Sequence, residues 1–175
     1  MVTLALDLSS KSSGWAVNAE DKIEYGCIAS SSTDVNKRIL IMRDGVLELV
    51  KKYNVERIVA EEVRPDLQNS HTQKILTYVQ AAIVLAVYEY NKNIKVEFIQ
   101  PNSWRSKIGI KTGAGVKRET LKAQDILFVK NKYGLDVKND DEADAIGILN
   151  SCLNSTTPQT IVKKASQTVE YIEFV

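Results

Sequence analysis

Four carboxylates stand in this 175-residue chain at positions poorly suited to a purely structural role. Asp7 lies in the apolar run Val2–Leu8 (VTLALDL), Glu61 follows the strand-like stretch RIVA, and Asp141 and Asp144 open the late segment DDEADAIGIL. A charge within an apolar run is retained when something pairs with it. None of the three segments carries a basic residue in its apolar part, so a divalent cation is the natural partner. Magnesium takes oxygen ligands from a few carboxylates, water and phosphate. Carboxylates that cluster also repel one another until a cation neutralises them. The pattern points to metal-assisted phosphodiester chemistry.

Each position also has a structural alternative. Strand alternation puts Thr3, Ala5 and Asp7 on one face and Leu4, Leu6 and Leu8 on the other; alternatively, Asp7 caps the Ser9-Ser10 turn. Glu61 and Glu62 must point to opposite faces of a strand. Glu61 shares its face with Val59 and Val63 and lies deeper in the apolar run, which makes Glu62 the fallback. An exposed strand end would account for either glutamate. Asp141 and Asp144 are spaced to stack on one helix face. The electrostatics of a helix N-terminus cover Asp140, Asp141 and Glu142 but not Asp144, which sits between Ala143 and Ala145 on an apolar face running to Ile148.

A second region, Trp104 to Lys122, carries Arg105, Lys107, Lys111, Lys117, Arg118 and Lys122 against the single acid Glu119, with Gly109, Gly113 and Gly115 interleaved. Small residues let backbone amides approach phosphate, and the cations suit a nucleic-acid backbone; a solvated lysine-rich helix face is the alternative. The loop lacks the GxxxxGK[ST] pattern of a nucleotide-binding P-loop. Arg64, just past the second acidic segment, is a further candidate DNA contact.

The elements that must position these groups follow from periodicity. Val2–Leu8, Gly14–Asn18, Ile23–Ala29, Arg57–Val63 and Lys95–Ile99 read as five strands. The Ser30–Asp34 cluster caps a helix over Val35–Tyr53. Further helices are predicted over Gln73–Asn91, around Trp104, over Val116–Tyr133 and over Asp141–Leu153. The result is an α/β domain over residues 1–154, a mixed five-stranded sheet with helices on both faces. Residues 155–175 form a tail, either an added edge strand or a mobile segment. With 44% hydrophobic and 26% charged residues the chain is globular, and a net charge of +1 means that any nucleic-acid binding rests on a local patch. Cys27 and Cys152 match no CxxC pattern, and the single histidine, His71, excludes a His-rich zinc site. Without a signal-peptide pattern or an apolar run long enough to span a bilayer, a cytoplasmic location is expected.

The ordered carboxylates resemble those of the RuvC family of Holliday-junction resolvases, within the RNase H-like superfamily. ALDLSSKSSGWAV is similar to the family's opening strand-turn-strand, IVAEEV to the strand ending in its catalytic glutamate, and DDEADAIGIL to its closing motif. The resemblance, which runs from Asp7 to about Leu149, implies that Asp7, Glu61, Asp141 and Asp144 are catalytic metal ligands. It implies two Mg2+ ions per site (Mn2+ as a substitute), roughly 4 Å apart. A homodimer cutting four-way or other branched DNA by paired nicks, and leaving 5′-phosphate and 3′-hydroxyl ends, would follow. Lys107, Lys117 and Arg118 fall where the family contacts DNA, and the broad apolar helix Gln73–Asn91 is the candidate dimer face or, equally, a core helix. Two departures stand out: Ser9 replaces the glycine usual in cellular members, and Val63-Arg64-Pro65 replaces an aromatic after the glutamate. The Lys/Asn/Ile-rich composition looks like that of a phage or prophage relative in a bacterial host cell. An actin- or sugar-kinase-like ATP phosphotransferase and a non-catalytic branched-DNA binder are the rival readings.

Overall fold

The computed structural model describes residues 1–20, 22–63, 70–113, 115–137, 139–153, 160–164 and 167–168. In chain order these form β1 (Thr3–Asp7), β2 (Ser12–Ala19), β3 (Lys22–Ala29), α1 (Val35–Tyr53), β4 (Arg57–Glu61), α2 (Ser70–Tyr90) and β5 (Lys95–Ile99). There follow α3 (Pro101–Lys107), α4 (Arg118–Tyr133), α5 (Asp140–Cys152), β6 (Thr160–Lys163) and β7 (Gln167–Thr168).

Connection length sets strand direction. The few residues between β1, β2 and β3 permit only antiparallel pairing, whereas α1 and α2 are crossovers that return the chain parallel. β1 accordingly pairs antiparallel with β2 and parallel with β4, and β4 pairs parallel with β5. The sheet order is β5-β4-β1-β2-β3-β6, with β7 also on β3. The alternation read from the sequence divides the core as expected. Leu4, Leu6, Leu8, Ile58 and Ala60 pack beneath α1 and α2, and Ala5, Ala16 and Val59 pack beneath α3, α4 and α5. Asp34 caps α1 by accepting hydrogen bonds from the amides of Asn36 and Lys37.

The five-strand expectation needs correction, because part of the presumed tail belongs to the sheet. β6 runs parallel to β3, with Ile161 opposite Ile23 and Val162 opposite Glu24. Ile161 packs into the α5 side of the core. Lys163 Nζ lies 2.9 Å from Glu142 Oε2 on α5, and Glu142 is only 1% exposed. A four-residue strand after a polar segment is too short to announce itself by alternation; its pairing partner and Glu142 make it one. Lys163→Ala would leave a buried carboxylate without this cation. Urea unfolding is expected to show a loss of about 1–3 kcal/mol, with Glu142→Gln/Lys163→Ala recovering part of it.

On α2, Val79, Ile83 and Val87 form the buried stripe, while Tyr78, Leu85, Tyr88 and Tyr90 remain exposed. One face of this helix packs the core, as one of the two expectations has it, and an apolar face is left outward. Among the described residues no helix is long and apolar enough to cross a membrane.

Candidate active site

β1 and β4 are neighbours in parallel register, Leu6 opposite Ala60, so that Asp7 and Glu61 emerge side by side at the carboxyl ends of their strands. Small and branched residues, Ala5 and Val59, lie below them on the same face. The third wall is α5. Its N-cap is Asn139, whose side chain accepts from the Asp141 amide at 2.9 Å and fixes the first turn. Gly14, opposite Asp7 in the β1–β2 register, lets that turn touch the sheet: a Cβ there would lie 1.9 Å from the Asp141 carbonyl oxygen. Ala143 and Ala145 are fully buried against the sheet.

Asp7, Glu61, Asp141 and Asp144 thereby line one cleft of about 400 Å³. Burial raises the Asp7 pKa well above the usual carboxylate range, and the charges of Glu61 and Asp141 push it further. Burial, Asp7 and Asp125 push Asp144 up to about 9. Asp144 Oδ1 is buried without a hydrogen-bond partner among the described residues. Glu62 is exposed and accepts a hydrogen bond from Gln100 Nε2 at the rim. Glu61 is the member of the pair held inward, accepting from Trp104 Nε1 at 2.7 Å.

That last contact exposes what the sequence concealed. Arg105, grouped there with the DNA-contacting cations, is 7% exposed and turned inward. Its Nη2 lies 2.8 Å from Asp125 Oδ2 and 3.0 Å from Asp144 Oδ2, and its Nη1 is 3.8 Å from Glu61 Oε2. Burial alone would lower its pKa, but the Asp125 hydrogen bond and the charges of Asp144, Asp125 and Glu61 raise it. The acids thus do have a basic partner, supplied from a distant helix. The guanidinium stacks on the neighbouring Trp104 ring at 4.2 Å, and that ring sits against Gly147 of α5, where a Cβ would approach it to 2.5 Å. A Trp-Arg pair in a seven-residue helix carries no periodic signal that could have disclosed this.

The other cations separate by position. Arg118 and Lys122 line the cleft, and Lys122 pairs with Asp140 on α5. Lys107, Lys111 and Lys117 are exposed outside it. Arg64 lies outside the described residues.

Among the described residues no three His, Cys, Asp or Glu side chains are gathered closely enough to hold a metal ion by themselves. The donor set nevertheless suits magnesium: all-oxygen, mutually repelling, with one buried Asp144 oxygen lacking a partner. Magnesium is bound through one or two carboxylates together with substrate phosphate and water, not through a closed protein cage.

The RuvC family model, described as crossover junction endodeoxyribonuclease RuvC, matches residues 3–150. The crossover junction endodeoxyribonuclease RuvC of Rickettsia conorii is 28% identical over 159 residues, covering 87% of this chain and 97% of that protein. Its counterpart in Rickettsia akari is 30% identical over 158 residues, covering 87% and 96%. Among solved structures, Thermus thermophilus RuvC in complex with a Holliday junction substrate superimposes with a TM-score of 0.67 at 19% identity, covering 86% of this chain and 92% of that one. The yeast mitochondrial Holliday junction resolvase Ydc2 superimposes with a TM-score of 0.57 at 14% identity, covering 85% and 77%. The fold is RNase H-like, as the sequence predicts, and these relatives carry no indication of a phage origin. Spanning nearly all of the described sheet and every carboxylate of the cleft, the match places the chain in the RuvC family of crossover junction endodeoxyribonucleases.

Proposed function

We propose that this chain is a metal-dependent endonuclease that resolves Holliday junctions and other branched DNA by nicking opposed strands. The observation that carries the reading is the convergence of Asp7, Glu61, Asp141 and Asp144 on one cleft that Arg118 and Lys122 also line. Family membership displaces the ATP-phosphotransferase reading.

Magnesium, or manganese in its place, two ions per site, supplies Lewis-acid activation of water and neutralises charge on the scissile phosphate when bound. Asp7, Glu61, Asp141 and Asp144 are the residues that would hold it. The chain's own groups do the rest. Trp104 fixes Glu61, and Arg105 fixes one oxygen of Asp144 while leaving the other uncommitted. Arg118 and Lys122 attract the phosphate backbone to the cleft. Lys107, Lys111 and Lys117, exposed on and after α3, extend that contact along an arm of the junction. Recognition by backbone position and branched shape requires no base-edge contact.

A four-way junction has approximate two-fold symmetry, so a homodimer places one cleft on each of two opposed strands. The exposed Tyr78, Leu85 and Tyr88 of α2 support this helix as the dimer face. The protein would act on DNA in the bacterial cytoplasm.

A supercoiled plasmid that extrudes a cruciform tests the reading. Paired nicking within one bound complex converts it directly to linear DNA in Mg2+, and EDTA prevents this. Accumulation of open circles alone would refute the paired mechanism, and unchanged plasmid in both Mg2+ and Mn2+ would refute the nuclease.

A further inference from the structure

Asp125 is the one carboxylate of this charge network that does not line the cleft. It lies on α4, is 1% exposed, and faces Arg105 with both oxygens: Arg105 Nε reaches Oδ1 at 3.3 Å and Oδ2 at 3.0 Å, and Nη2 reaches Oδ2 at 2.8 Å. That forked contact takes up the Nε edge of the guanidinium. Nη2 is shared, reaching Asp144 Oδ2 at 3.0 Å as well, and Nη1 lies 3.8 Å from Glu61 Oε2. The stacked Trp104 ring closes one face of the same group.

We propose that Asp125 is a positioning residue for DNA cleavage, acting through Arg105 on Asp144 and Glu61; the proposal rests on the nuclease reading above. Two consequences follow from the geometry. First, a guanidinium gripped along one edge by a buried carboxylate cannot rotate, so the Asp144 oxygen it contacts is fixed and the other oxygen is presented in a single direction. Second, Asp125 cancels the charge of Arg105. Without it, the whole charge of the guanidinium falls on Asp144 and Glu61, the two cleft carboxylates it contacts, and it competes for them with the incoming metal cation. A buried ion pair serving stability alone would predict neither effect.

The test is Asp125→Asn in the full-length protein, which keeps the shape and an accepting oxygen but removes the charge. Mn2+ binding is read without DNA, from the Mn2+ concentration that gives half the maximal rise in melting temperature. Junction affinity is read in EDTA, and cleavage under single turnover across Mn2+ concentrations, below the variant's own melting range. The expected result is a requirement for roughly 10- to 100-fold more Mn2+ in both the melting and the cleavage titrations, with junction affinity within about twofold of wild type. Wild-type Mn2+ dependence in a folded Asp125→Asn protein would overturn the proposal. If Asp125→Asn does not fold, Asp125→Glu keeps the charge and displaces it by one methylene. A raised Mn2+ requirement in that variant supports the positioning role, and an unchanged one overturns it. Failure of the nuclease reading looks different: the wild-type protein itself would not cut.

Discussion

Asp7→Asn is expected to abolish junction cleavage, by about a thousandfold or more, while leaving junction binding in EDTA intact. Electrostatic stabilisation through such a ligand is worth several kcal/mol, and about 4 kcal/mol corresponds to a factor of a thousand. Asparagine is nearly isosteric, and Asp7 pairs with Gly14 and stands beside β4 through backbone register that the substitution does not touch. The sign of the stability change is opposite to that of activity. Asp7 has a folded-state pKa raised by burial and by Glu61 and Asp141. A carboxyl group so shifted leaves folding unaffected while it is protonated in both states and opposes the fold once pH exceeds the unfolded-state value. At neutral pH without divalent ions, Asp7→Asn should therefore melt higher than wild type. An inactive protein that melts lower would mean that Asp7 serves the fold. Rapid-quench cleavage and thermal melting, run side by side, separate the two.

Gly14→Ala is the second large effect, and it strikes the architecture. A Cβ at Gly14 meets backbone only: the Asp141 carbonyl oxygen at 1.9 Å, its carbon at 2.4 Å and the Glu142 nitrogen at 3.0 Å. No rotamer change relieves that contact, so the first turn of α5 must withdraw from the sheet, carrying Asp141 and Asp144 with it. Overpacking of this kind costs about 3 kcal/mol or more. A displacement of about 1 Å at catalytic groups can cost a hundredfold in rate. Gly113→Ala, where nothing lies within 4 Å of the added Cβ, is the stability control. A Gly14→Ala protein as stable as the control would show that α5 does not seat on Gly14.

Much of this site was legible in the chain because its positions obey strict local rules. Alternation within VTLALDL separates Asp7 from the leucines, and the two core clusters divide along that line. The same two-residue period turns Glu61 into the cleft and leaves Glu62 at its rim, bonded to Gln100. Three-residue spacing places Asp141 and Asp144 on one side of α5, and α1 occupies Val35–Tyr53 behind its Asp34 cap. The illegible parts depend on contacts between segments far apart in sequence. Arg105 looked like one more cation in a basic stretch, and only the approach of α4 and α5 makes it an internal counter-charge. Asp125 lies in a helix whose buried residues are only itself and Val129, so no apolar stripe marks its face as inward. β6 is too short to be recognised before β3 and Glu142 provide its partners.

Asp7, Glu61, Asp141 and Asp144 are expected to cut branched DNA with divalent metal. The most direct measurement is strand cleavage of an immobile four-way junction, labelled on each strand in turn, alongside a linear duplex of matching sequence. Purified protein and its Asp7→Asn variant are compared in Mg2+ and in EDTA. Symmetric nicks on two opposed junction strands are expected with Mg2+ and wild-type protein only, and an uncut duplex. Junction binding without cutting in either Mg2+ or Mn2+, or equal cutting by Asp7→Asn, would contradict it.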